Sequence, residues 1–79
     1  MNRKEAIIRY LGHVGRGNRH QIAESIGARP ELVSVKLTEL RRAGIVRKAE
    51  WFDRSRVWVL SEKGARRFDY YRKRDIGKA

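Results

Sequence analysis

The chain has 79 residues, of which 20 are Lys or Arg and 9 are Asp or Glu, for a formal net charge of +11, and it contains no cysteine. This composition rules out a disulfide framework and a cysteine-ligated zinc, and no apolar run approaches the roughly 20 residues that span a bilayer. An excess of positive charge on one small domain is the electrostatic mark of a nucleic-acid binder, with a generic basic protein or a binder of anionic membranes as the alternatives.

In chain order, Asn2 and Glu5 have the spacing of a capping box and open a first helix. Ile7, Ile8 and Leu11 recur at helical spacing as its inward stripe, and Gly12 is expected to stop it. The N-terminal residues are basic but meet no long apolar core, so no secretory leader and a cytoplasmic location are expected. Asn18 with Gln21 opens a second helix whose stripe is Ile22, Ala23 and Ile26, and Gly27 ends it. After the turn Gly27-Ala28-Arg29, Pro30 starts a third helix at the position where a missing N–H does no harm. Val33, Leu37 and Leu40 share one face of this helix, which must be buried, and Gly44 closes it after Arg41-Arg42. The period then changes. Residues 45–52 and 56–60 read as a β-hairpin around Asp53-Arg54-Ser55, a loop longer than the tightest two-residue type. Ser61 caps a last helix with Ala65, Phe68 and Tyr71 as its stripe, Gly64 as a weak point in its first turn, and fraying by Gly77. The expected fold is mainly α with a small β-hairpin: one winged helix-turn-helix domain over 1–79, with a three-helix core, a wing, a C-terminal helix and frayed last residues.

Charge is uneven along this order. Residues 1–20, 41–60 and 61–79 each carry +4, whereas residues 21–40 carry −1. The positive field therefore comes from the flanks of the helix-turn-helix rather than from its centre.

Three segments carry a resemblance. Gln21-Ile22-Ala23-Glu24-Ser25-Ile26-Gly27 resembles the start of the helix-turn-helix in winged-helix transcription regulators. Val33-Ser34, Leu37, Leu40 and Ala43-Gly44-Ile45-Val46 resemble their recognition helix and its exit. Leu60-Ser61-Glu62-Lys63-Gly64 is similar to the Leu-Thr-Glu-Lys-Gly segment after the wing in MarR-like, PadR-like, ArsR-like and related repressors. The resemblance covers residues 4 to 72. It implies a sequence-specific regulator of double-stranded DNA, with residues 30–43 in the major groove and the wing, 53–56, on the backbone or minor groove. Regulators of this superfamily usually read two half-sites, so a homodimer is expected. Glu31 and Glu39 depart from the basic character that such recognition helices often have.

At about 100° per residue, Glu31, Val35, Thr38 and Arg42 fall opposite the buried stripe, with Leu32, Ser34 and Glu39 on the borders. Ser34 and Thr38 can bond base edges, and Val35 can meet a thymine methyl. Arg29 sits where groove-entering helices place base contacts, and Arg16 and Arg19 begin the helix that crosses the backbone. Glu31 either accepts from a cytosine amino group or simply favours the helix dipole. Arg54 and Arg56 flank the wing tip, as phosphate or minor-groove contacts or as a solvated loop. Lys36 completes the DNA-binding candidates. Phe68, Tyr71 and Tyr10 are the candidate dimer anchors, the alternative being that Phe68 closes its own core. Trp51, Phe52 and Trp58 read as core or dimer packing rather than as base-stacking platforms. His13, His20 and Glu24 do not close a metal site, and no phosphate loop or catalytic triad is present, so no metal, cofactor, small-molecule ligand or enzymatic activity is expected. Two other functions remain open: an architectural or weakly specific nucleic-acid binder, including RNA, and a winged-helix protein-interaction module.

Overall fold

A computed structural model describes residues 2–52 and 55–77. Helix α1, Arg3–Val14, begins where Asn2 Oδ1 accepts the Glu5 amide at 2.7 Å. It runs through Gly12, the expected stop, to Val14 and is capped by Gly15, whose φ is 99°. Gly12 does not terminate the helix, because a mid-helix glycine costs only about 1 kcal/mol. Its bare backbone serves packing instead, with the Phe68 ring lying directly over it.

Helix α2, Arg19–Ile26, has the reciprocal capping box expected of Asn18 and Gln21, with both bonds at 2.9 Å. Gly27 adopts the left-handed conformation, φ 69°, and helix α3, Pro30–Arg42, follows with proline in its first turn. Strands β1, Val46–Phe52, and β2, Ser55–Leu60, form an antiparallel hairpin from Val46↔Leu60 to Phe52↔Ser55, with an irregularity between Lys48 and Trp51. The ladder reaches closer to the tip than expected, since Ser55 is a strand residue paired with Phe52; Asp53 and Arg54 lie outside the described residues. The α1–α2 connection also joins the sheet. Gly17 and Trp58 exchange both backbone bonds, at 3.1 and 2.9 Å, which fixes the wing to the helical core.

Ile7, Leu11, Ile22, Val33 and Leu37 are almost fully buried, and Ile8, Ala23, Leu40, Ile45, Val46 and Trp58 complete the core. Each large side chain so buried contributes about 1.5–3 kcal/mol relative to exposure. The α3 stripe is therefore the inner face, and its register is the one its spacing implies.

Helix α4, Glu62–Gly77, is capped by Ser61, whose Oγ accepts the Gly64 amide at 3.0 Å. Its inner stripe differs from expectation. Ala65 is exposed, and the packed positions are Gly64, Phe68 and Tyr71 at i, i+4 and i+7. Gly64 is no weakness, because a Cβ there would overlap the Ile45 carbonyl. Glycine lets α4 cross the exit of α3 at backbone contact. The single Ser61 hydroxyl proton is shared between the Gly44 and Ile45 carbonyls, and Lys63 Nζ donates to the Ala43 carbonyl at 2.9 Å. The start of α4 thus holds the carbonyls of Ala43, Gly44 and Ile45 just beyond α3, while the Glu39, Leu40 and Arg41 carbonyls accept from the amides of Ala43, Ile45 and Gly44. No helix among the described residues is long and apolar enough to cross a membrane.

Candidate nucleic-acid interface

Burial of Val33, Leu37 and Leu40 turns the opposite face of α3 to solvent. Glu31, Val35, Thr38 and Arg42 are exposed on it, Val35 to 55%, and Ser34, Leu32 and Lys36 are half-buried at its edges. Thr38 Oγ1 donates back to the Ser34 carbonyl at 3.0 Å, and Arg19 Nη1 donates to Ser34 Oγ at 3.3 Å. The structure therefore brings Arg19, at the start of α2, to the border of the α3 face. Arg29 is exposed immediately before Pro30 and makes no capping bond through its side chain. Arg16 is exposed beside Gly17, in the connection that pairs with the wing. Five cationic or hydroxyl-bearing candidates, Arg19, Arg29, Ser34, Thr38 and Arg42, thus lie on α3 or at its border.

Not every candidate joins them. Lys36 is half-buried and leans to Glu39, 3.6 Å away, off the centre of the face. Lys4 of α1 reaches the same Glu39 Oε2 at 3.3 Å. The Lys4 ammonium beside it, with Lys36 adding its charge, keeps the Glu39 carboxyl below its ordinary pKa although partial burial opposes this. One of the two acidic residues that make α3 unusual is therefore neutralised within the fold, and Glu31 alone stands on the open face. Arg56 is a β2 residue paired with Trp51 rather than a tip residue, and its Nη1 donates across the hairpin to the Ala49 carbonyl at 3.1 Å. Arg54 lies outside the described residues, as do the side chains of Trp51 and Phe52. Trp58 is a core residue, 8% exposed, with the Lys48 ammonium 5.8 Å from its ring centre.

The three candidate dimer anchors all pack within the chain. Phe68 covers Gly12 and meets the His13 ring edge-on at 5.1 Å, and Tyr10 lies against Gly17. Tyr71 has the Arg9 and Arg74 guanidiniums 5.3 and 5.2 Å from its ring centre. The exposed apolar side chains of α4 are Tyr70 and Ile76 instead. Sequence reading missed Ser61 and Lys63 as anchors of the α3 exit. Their partners are remote in the chain, so no local spacing signals them.

No protein-family model matches the chain, and no curated protein matches it. Solved structures do. An apo form of ZitR from Lactococcus lactis superposes with a TM-score of 0.86 at 20% identity, covering 96% of this chain and 58% of that one. MepR from S. aureus superposes with a TM-score of 0.86 at 16% identity, covering 99% and 59%. The S. aureus MepR–DNA complex gives a TM-score of 0.82 at 17% identity, covering 92% and 62%. The fold is a winged helix like that of these proteins, and the chain spans about three fifths of their length.

Proposed function

We propose that the protein is a sequence-specific regulator that binds double-stranded DNA, with α3 in the major groove and the wing on the backbone or minor groove. The observation that carries this reading is the α3 face: solvent-exposed, hydrogen-bond-capable and bordered by Arg19, Arg29 and Arg42, on a fold that MepR also presents in a structure with DNA. In this reading Ser34, Val35, Thr38 and Arg29 meet base edges, and Arg16, Arg19 and Arg42 meet phosphates. Arg54 and Arg56 serve the wing, and Lys36 acts through long-range charge. DNA and a second copy of the chain are the partners, the compartment is the cytoplasm, and no small-molecule ligand or catalytic step is required. Phe68, Tyr71 and Tyr10 are already engaged within the chain, so pairing through α4 falls to Tyr70 and Ile76, with those three as support from behind.

A second reading, an architectural binder of low specificity, is favoured by the spread of positive charge over three of the four segments. Selection of bound duplexes from a random pool separates the two. The regulator enriches an inverted repeat whose half-sites lie about 34–36 Å apart, one turn of DNA. A pool that binds but never converges assigns the protein to the architectural class.

A further inference from the structure

Val35 occupies the centre of the α3 outer face. Glu31 and Arg42 lie one and two turns away on the same side, and Thr38 stands three residues on. A valine exposed to 55% is the one large apolar group on this otherwise polar and charged surface among the described residues. Its neighbour Thr38 is less polar than its residue type implies. A threonine hydroxyl has a single proton, and here it is committed to the Ser34 carbonyl at 3.0 Å. What Thr38 has left to offer a ligand is its methyl group and oxygen lone pairs. Ser34 Oγ in turn accepts from Arg19, so the polar side of the face is drawn toward α2. The centre of the face is thus a small apolar pad made of Val35 and the Thr38 methyl, with Glu31 and Arg42 near it.

The major groove has few apolar features to match such a pad. Its floor is lined by hydrogen-bond donors and acceptors, and the thymine 5-methyl is the hydrocarbon group that projects into it. A valine set against donors and acceptors would desolvate them without replacing their bonds. Set against a methyl, it removes apolar surface from water on both sides. Resting on the duplex-binding function proposed above, we infer that Val35, with the methyl of Thr38, reads thymine methyl groups and makes thymine at one or two neighbouring positions of each half-site a determinant of specificity.

Uracil tests this directly, because it keeps every hydrogen-bonding group of thymine and lacks the methyl. In the duplex selected from the random pool, each thymine is replaced by uracil in turn and affinity is measured for the wild-type chain, V35A and V35T. Replacement at one or two positions per half-site is expected to weaken wild-type binding about fourfold per methyl lost, and replacement elsewhere to have no effect. V35A is expected to lose most of the discrimination between thymine and uracil, the Thr38 methyl retaining the rest, with an unchanged melting temperature because the side chain is exposed. V35T, which keeps a methyl, is expected to retain part of the discrimination. Equal wild-type affinity for thymine and uracil at every position overturns the inference while leaving duplex recognition standing. So does a thymine preference that survives undiminished in V35A. A wild-type chain that shows no affinity for duplex at all overturns both. If V35A instead binds all duplexes normally but loses a protein partner, the pad is a protein contact and the inference fails.

Discussion

Gly64 shows how one residue's meaning depends on what crosses it. In the first turn of a helix, glycine is about 1 kcal/mol worse than alanine, so propensity alone predicts that G64A stabilises the domain. The structure reverses the sign, because the new Cβ would occupy the space of the Ile45 carbonyl, which is backbone and has little room to move. G64A is expected to lower the melting temperature, and a rise in thermal melts would show that α4 does not cross the α3 exit this closely. The inner stripe of α3 was legible without the structure, because Val33, Leu37 and Leu40 satisfy a helical period within one element. Gly64 was not, since its reason for being glycine lies in a carbonyl distant in the chain. Phe68 belongs with it: it was read as a partner-facing anchor or a core residue, and its proximity to Gly12 emerges only when α1 and α4 are packed together.

At the scale of elements, α4 is joined to the domain at both ends. Its first turn holds the α3 exit through Ser61 and Lys63. Its last turns meet α1 through a cluster in which Glu5 accepts from Arg9 at 3.1 Å and from Arg74 at 3.2 Å, while Arg9 also bonds Asp75. Partial burial pushes the Glu5 carboxyl upward, but the hydrogen bonds and charges of Arg9 and Arg74 outweigh it, and its pKa lies below the ordinary 4.5. A carboxylate whose pKa is lower folded than unfolded contributes stability that is complete above the unfolded value and is lost as pH falls through the folded one. The melting temperature should therefore decline as pH drops below about 4.5, and E5Q should make that decline shallower. Glu39 and Asp69, also lowered, keep part of it in place: Glu39 through Lys4, and Asp69 through Lys73 and Arg72. A wild-type acid profile indistinguishable from that of E5Q would remove this cluster from the account of α4 docking. Helix existence and caps followed from Asn, Gln, Pro and Gly positions. The length of α1, the register of the hairpin and the inner face of α4 depended on tertiary contacts that local periodicity does not contain.

Considered whole, the molecule pairs several of its acidic groups with its own basic side chains and keeps an excess of positive charge. Among the described residues, Glu5, Glu39, Glu62, Asp69 and Asp75 all pair with basic side chains of the same chain, so these acidic groups offset neighbouring cations. Arg29 and Arg42 remain exposed at the two ends of α3, with Arg19 at its border, and the net charge is still +11. Such an arrangement binds a polyanion by releasing its condensed counterions, and each phosphate neutralised steepens the dependence on salt. The central claim, that this surface engages duplex DNA, is tested most directly by the affinity for the selected duplex as a function of salt, for the wild-type chain and for R19A and R29A. About five neutralised phosphates predict a log–log slope near −4 to −5 per protomer. Loss of the proposed Arg19 phosphate contact should reduce the slope by about one unit, whereas R29A should mainly relax preference at a base position, by about 1–3 kcal/mol. Binding that ignores salt, or a slope and a sequence preference that survive both substitutions unchanged, would contradict the account.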